Sequence, residues 1–335
     1  MADALHHGGR LAEARRRFPG APEPFVDLST GINPVPFPFQ PPPLAAFARL
    51  PEPEDDQALR EAAAHAYGVG DPAMVVAAPG TQILINLLPR LRPLARAAVL
   101  GPTYAEHAAC WSAAGSQVFE VSRLSDLGSA PGAILCNPNN PDGRLIPPGD
   151  LLPLAGRLAA GGGLLVVDEA FADFAGPAAS VGQYLPFDGV IALRSFGKAY
   201  GLAGLRLGFA LASPALAEEL RSALGPWAVS GPAIAIARQA FASPTWLEAA
   251  AARLEHDVRR LDSMLTSAGL RIVGGTSLFR LAETRRALDV FEALGRAGIL
   301  VRRFSGAGHR LRFGLAGQDG HWERLETALG ASRSE

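Results

Sequence analysis

The chain has 335 residues, a formal net charge of −1 and a composition that is 48% apolar and 19% charged, the profile of a globular protein of about two domains with a sizeable core. Basic and acidic residues are interspersed, which excludes the one-sided charge of a nucleic-acid or membrane-surface binder. The chain has neither a membrane-length apolar run nor a basic-then-apolar leader, so the expected location is cytoplasmic, with small molecules or a second copy of the chain as partners. The two cysteines, Cys110 and Cys136, make neither a disulfide framework nor a metal-site spacing. They are expected as small buried hydrophobes in a reducing compartment, with no metal implied.

In chain order, residues 19–53 are rich in proline, including Pro34, Pro36, Pro38 and Pro41-Pro42-Pro43, which predicts an extended arm that crosses surfaces. From Pro53 the alanine-rich segment Asp56 to Tyr67 has a helical period and stops at Gly68. Apolar runs at 97–100, 117–121, 133–136, 164–167, 190–193 and 207–211 then alternate with helix-compatible segments near 82–92, 103–114, 149–160 and 178–185. That alternation predicts an α/β fold, a largely parallel sheet covered on both faces in a three-layer αβα large domain. Past residue 213 the pattern changes to long helices over about 232–268, short strands near 271–281, 299–303 and 310–315, and a last helix near 319–329. These make a smaller α+β domain. The predicted division is an N-terminal arm over 1–45 joining the small domain, a large domain over 46–215, and a small domain over 216–335, with a long helix linking them.

In an open α/β sheet the ligand lies beyond the carboxyl ends of the strands, and four such places are polar here. After Met74 to Ala78 comes Pro79-Gly80-Thr81-Gln82, opening a helix whose free amides and dipole suit a phosphate. Ala133 to Cys136 is followed by Asn137-Pro-Asn-Asn140-Pro-Asp-Gly143, denser in asparagine and proline than a simple turn requires. Leu164 to Val167 is followed by Asp168-Glu169-Ala170-Phe171, a carboxylate at a strand end. Val190 to Leu193 leads into Ser195-Phe-Gly-Lys198-Ala-Tyr-Gly-Leu-Ala-Gly-Leu-Arg206.

Lys198 is the only lysine, the other 30 of 31 basic residues being arginine. A chain that uses arginine wherever it needs charge keeps one amine for what guanidinium cannot do, condensation with an aldehyde as a Schiff base. A phosphate cup, an asparagine, a carboxylate, an amine and an arginine at one sheet edge match pyridoxal 5'-phosphate. The aldehyde needs Lys198, the ring nitrogen needs the Asp168 anion, and the phosphate needs backbone amides with Ser195 and Arg206.

The order Pro-Gly-Thr-Gln, Tyr104, Asn-Pro-Asn-Asn-Pro-Asp-Gly, Asp-Glu-Ala-Phe and Ser-Phe-Gly-Lys-Ala-Tyr-Gly-Leu-Ala-Gly-Leu-Arg-Leu-Gly resembles the fold-type I pyridoxal-phosphate enzymes of the histidinol-phosphate aminotransferase branch. Within it, His7-Gly8-Gly9 and Asp27-Leu-Ser-Thr-Gly31-Ile-Asn33-Pro34 resemble the threonine-phosphate decarboxylases of cobalamin synthesis. The resemblance implies that Tyr104 stacks on the cofactor ring, Asn140 bonds its 3'-oxygen, Asp168 pairs with the ring nitrogen and Lys198 forms the Schiff base. It assigns the cofactor phosphate to Gly80, Thr81, Ser195 and Arg206. It assigns the substrate carboxylate to an arginine of Arg310-Leu-Arg312-Phe-Gly314, with spacing favouring Arg312; Arg310 shares its face and stays open as an alternative. The substrate phosphate falls to Arg302, His7 and the amides near Gly31 and Asn33. The implied assembly is a homodimer.

Three departures from that family's pattern stand out. Phe171 occupies a place where many relatives carry a tyrosine, Gly197 replaces a common hydroxyl residue, and Leu50 stands where aminotransferases often have a tyrosine reaching the partner subunit. The implied reaction is decarboxylation of L-threonine O-3-phosphate to (R)-1-aminopropan-2-ol phosphate and CO2; transamination of the histidinol-phosphate type is the alternative. The same residues serve both, because the bond at Cα that lies perpendicular to the cofactor ring is the one that breaks.

Overall fold

The computed structural model describes residues 7–304 and 306–331. The elements in chain order begin with α1 (Leu11–Arg17), β1 (Val26–Leu28), α2 (Ala45–Ala48), α3 (Pro53–Tyr67), β2 (Val75–Ala78), α4 (Thr81–Leu91), β3 (Arg96–Leu100) and α5 (Ala105–Ala113). Next come β4 (Gln117–Val121), α6 (Leu124–Leu127), β5 (Gly132–Cys136), α7 (Pro148–Ala160), β6 (Leu164–Asp168), β7 (Val190–Ser195), α8 (Phe196–Ala199) and β8 (Gly208–Ala212). The chain continues through α9 (Pro214–Leu224), α10 (Gly231–Phe241), α11 (Pro244–Ser267), β9 (Arg271–Thr276), β10 (Phe279–Glu283), α12 (Ala287–Arg296), β11 (Ile299–Arg303), β12 (Arg310–Gly314) and α13 (Asp319–Ala331).

The chain forms two compact units, one of Phe37–Leu247 and one of residues 1–36 with 248–335. The larger is built on a seven-stranded sheet of order β2-β8-β7-β6-β5-β3-β4. Every pairing among β3 to β7 is parallel, and β8 alone runs against both of its neighbours, β2 and β7. Successive residues of the buried strands feed opposite cores. Val190 and Ala192 pack with Leu59, Tyr67, Leu151 and Ile234 of α3, α7 and α10, while Ile191 and Leu193 pack with Leu84, Leu88, Trp111 and Leu216 of α4, α5 and α9. This is the three-layer arrangement expected of near-continuous apolar parallel strands.

Local rules set the ends of α3. Pro53 opens it, Glu52 and Asp55 exchange side-chain and backbone hydrogen bonds in a capping box, and Gly68 closes it in the left-handed region at φ 68°.

The smaller unit holds the sheet β1-β11-β12-β10-β9. Its edge strand β1 corrects the reading of residues 19–53 as a purely extended arm: Val26, Asp27 and Leu28 pair in parallel with Ile299, Leu300 and Val301. The domain limits shift as well. The boundary predicted at 215/216 falls at 247/248, within α11, because α10 packs on α3 and α9 on the sheet through Leu216, Ala217 and Leu220; the arm boundary moves from 45/46 to 36/37. The helix predicted over 178–185 is instead a pair of 3-10 turns, Pro177–Ala179 and Val181–Tyr184, with the Ser180 hydroxyl accepting from the Gly182 amide between them. The long helical stretch over 232–268 is two helices, broken where Pro244 starts a new one.

Candidate active site

Sheet register gathers the predicted cofactor residues of the larger unit at one edge. Strands β2, β5, β6 and β7 all end there, and β8, running the other way, begins there. Ala78 and Ser195 both register with Gly208, so the Gly80 turn, the end of β7 and the approach through Arg206 share a row. Glycine is required on that row by backbone conformation at Gly80 and by backbone packing at Gly208. A Cβ at Gly80, whose φ is 87°, would fall 2.7 Å from Arg206 Nη2, and one at Gly208 would fall 2.6 Å from the Thr81 amide nitrogen. Arg206 itself holds the left-handed region at φ 51°, a conformation that costs a non-glycine residue energy and that clusters at functional sites. Ser195 occupies the N-cap of α8, the short helix that carries Lys198.

Gly197 has a packing reason. A Cβ there would lie 2.6 Å from Ala203 Cα, so in this chain the position is closed to a hydroxyl side chain by the 3-10 turn Ala203–Leu205.

The asparagine-rich loop divides its labour. Asn137 is fully buried and exchanges two 2.8 Å bonds with the Ile146 backbone. Asn139 donates to the Pro102 carbonyl and Asp142 and accepts from Thr103. Both hold the loop, and Asn140 beside them is half-buried.

Asp168 ends β6 and is buried. His107 Nε2 lies 2.9 Å from its Oδ2, and the Ala170 amide donates to its Oδ1 at 3.1 Å. Burial pushes this carboxyl up, but the His107 bond and charge, the Ala170 amide and the Lys198 charge outweigh it and hold the group below its ordinary value. His107 is pushed up to about 10: burial opposes its charge, and the bonds to Asp168 and Cys136 overcome that opposition. Both shifts favour the ionised pair.

Tyr104, the N-cap of α5, packs edge-to-face on His107, with ring centroids 6.0 Å apart, and its hydroxyl donates to Gln82 Oε1 at 3.0 Å. Burial pushes its hydroxyl up to about 12. Lys198 is half-buried, with Nζ 4.8 Å from the centroid of the buried Phe171 ring.

Sequence reasoning missed several participants. His107 is three residues beyond Tyr104 and so on the same helix face, a signal that could have found it. Arg194, a charged residue inside an apolar strand, forms buried ion pairs with Glu169 (3.3 Å) and Asp173 (2.9 Å) and lies 4.4 Å over the Tyr67 ring. The cysteines also need correction. Cys136 is buried but points its Sγ at Asp168 Oδ2 (3.8 Å), and Cys110 is half-buried and donates to Asn86.

The predicted substrate residues all lie in the smaller unit. Arg312 and Arg302 face each other across β12 and β11, a like-charge pairing that the Asp27 carboxylate offsets in part at Arg312. Arg312 is buried, donates to the Ser29 carbonyl at 2.8 Å and sits 5.0 Å over Phe279. Burial, then the Arg302 charge, pushes it down to about 10. Arg310 is engaged otherwise, 3.3 Å from Glu283. Gly9 donates to Ser29 Oγ, which fastens the segment after His7 beside the turn leading to Gly31. The Asn33 carboxamide oxygen accepts from the Val35 amide and from Arg253, another residue the sequence did not flag.

Residues 45–329 match the family model for aminotransferase class I and II. Threonine-phosphate decarboxylases from Sinorhizobium sp and Pseudomonas aeruginosa are 44% and 41% identical, covering 98% and 97% of both chains. A histidinol-phosphate aminotransferase from Mesorhizobium japonicum is 31% identical over 87% of this chain and 83% of its own. Among solved structures, the L-threonine-O-3-phosphate decarboxylase from Porphyromonas gingivalis superposes with a TM-score of 0.76 at 20% identity, covering 92% of this chain and 100% of that one, a likeness of fold. The chain belongs to the class I and II aminotransferase family, among its threonine-phosphate decarboxylases.

Proposed function

We propose that the chain decarboxylates L-threonine O-3-phosphate to (R)-1-aminopropan-2-ol phosphate and CO2 with pyridoxal 5'-phosphate, a step toward the cobalamin side chain. The observation that carries the cofactor assignment is the buried Asp168, 2.9 Å from His107 Nε2, at the strand end next to the one that leads to the chain's sole amine. The row of Gly80, whose φ is 87°, and Gly208, whose Cβ would meet the Thr81 amide, fits a phosphate held by backbone. The residues that would hold the group are Lys198 through its aldehyde, Asp168 at the ring nitrogen, Tyr104 against the ring, Asn140 at the 3'-oxygen, and Gly80, Thr81, Ser195 and Arg206 at the phosphate. When bound, it supplies a covalent anchor for the substrate nitrogen and a ring that takes up the electron pair released at Cα.

The remaining work belongs to side chains. His107 keeps Asp168 charged and oriented. Arg312 grips the substrate carboxylate and so fixes which bond at Cα stands perpendicular to the ring. Arg302, with His7 and the amides near Gly31 and Asn33, takes the substrate phosphate. Lys198 delivers the proton that replaces CO2 at Cα.

The full-length likeness to decarboxylases supports this reading over transamination of the histidinol-phosphate type. Loading pure protein with pyridoxal phosphate and threonine phosphate tests it: stoichiometric CO2 with the cofactor spectrum restored is expected, and conversion to the pyridoxamine form without CO2 contradicts it.

A homodimer is part of the same proposal. Leu44, Phe47, Leu50 and Trp227 are 80%, 62%, 62% and 59% exposed, and α2, which carries Phe47, lies against α10, where Gly231 approaches Ala46 too closely for a side chain. So many exposed large apolar groups suit a second copy. Among the described residues no helix is long and apolar enough to cross a membrane; a cytoplasmic location completes the proposal.

A further inference from the structure

We propose that Phe171 is a positioning residue that biases the reaction toward decarboxylation by holding Lys198 in its ammonium form. The proposal rests on the decarboxylase reading and names what in this chain's own residues favours that outcome. Phe171 is buried, three residues beyond Asp168 at the end of β6, and Lys198 Nζ lies 4.8 Å from its ring centroid. A cation at that distance from an aromatic face is attracted by the ring's quadrupole, and more strongly where both are withdrawn from water.

The chemistry separates on that proton. Transamination requires Nζ to be neutral, because it must first remove hydrogen from Cα. Decarboxylation requires no base. The Cα–carboxylate bond breaks, CO2 leaves without its electron pair, and the pair returns to Cα as an Nζ–H bond breaks and a Cα–H bond forms, leaving a neutral amine. The proton Nζ donates comes from the substrate's incoming ammonium group. A ring that stabilises Nζ in its charged form therefore blocks the base and leaves the acid, since the electron-rich Cα is basic enough to take the proton regardless. The Asp168 carboxylate also acts on Lys198; it is common to every variant below, so differences among them report the ring.

The test exploits the single lysine. Phenylalanine with one, two or three ring fluorines is placed at 171 by site-specific incorporation, which weakens the quadrupole while keeping the shape, and Phe171→Leu and Phe171→Trp extend the series. Reductive 13C-dimethylation of the cofactor-free full chain labels Lys198 and the α-amine alone, and the Lys198 resonance follows its protonation with pH. The protonation midpoint should fall stepwise with fluorination, by about half to one pH unit at Phe171→Leu, and recover in Phe171→Trp. In the loaded enzyme, pyridoxamine formed per CO2 released should rise in the same order, roughly three- to tenfold at Phe171→Leu. A flat midpoint across the fluorinated series overturns the contact. A graded midpoint with a constant product ratio overturns the role in specificity. A graded midpoint in a protein that releases no CO2 from threonine phosphate overturns the decarboxylase reading and, with it, this role.

Discussion

Asp168 and Glu169 are neighbours in sequence, both buried, both at the end of β6, and they are held in opposite ways. Asp168 meets His107, the Ala170 amide and the field of Lys198, and is held below the usual carboxylate range. Glu169 meets Arg194, Ser180 and the Val181 amide, yet burial dominates and pushes it up. Strand geometry is the cause: consecutive residues leave a strand on opposite sides. One carboxylate reaches the helix α5, where the ring-bearing Tyr104 and His107 sit. The other reaches Arg194 and the segment around Ser180. Burial alone does not fix a carboxylate's charge, and the groups across from it decide which one can serve as a permanent anion for a ligand.

Substitutions that remove one member of each cluster separate the two roles. Asp168→Asn should lower kcat by roughly 10³-fold, since it removes the anion that keeps a bound ring protonated, whereas Glu169→Gln should cost less than about tenfold. Steady-state CO2 release measures both, and equal losses would erase the distinction. Arg194→Met should act on stability first. Two buried carboxylates, Glu169 and Asp173, lose their shared partner, for about 3–5 kcal/mol in denaturant unfolding. In the smaller unit, Arg312→Gln should lower kcat/KM about 10²-fold and Arg310→Gln no more than about twofold, because Arg310 is engaged with Glu283.

His107 has a folded value raised from 6.5 to about 10, so its contribution to stability is fully present below pH 6.5 and is lost as pH rises through the window from 6.5 to about 10. Unfolding free energies of the parent and His107→Gln across that window should converge toward its alkaline end. Parallel curves would mean that the histidine is not charged in the fold.

Much of this was legible in the sequence, for identifiable reasons. Parallel strands buried on both faces read as short apolar runs, so β3 to β8 were found within a residue or two, and polar residues directly after them marked the site edge. Residues 178–185 misled because their composition is helix-compatible while Gly176, Pro177 and Ser180 dictate turns. Strand β1 is three residues long with Asp27 at its centre, too short to show alternation. His107 and Asp168 are 61 positions apart, and no local pattern announces a contact at that separation. Arg310 and Arg312 could not be ranked by strand parity because both point the same way; the difference is Glu283, contributed by β10.

Attachment of the coenzyme to the Lys198 amine can be measured on the protein itself. The full chain is loaded with pyridoxal phosphate, reduced with borohydride, digested and read by mass spectrometry. One phosphopyridoxyl group per chain is expected, on the peptide containing Ser195 to Arg206 and attached at Lys198. An unmodified Lys198 peptide, or a label confined to the α-amine, would contradict it.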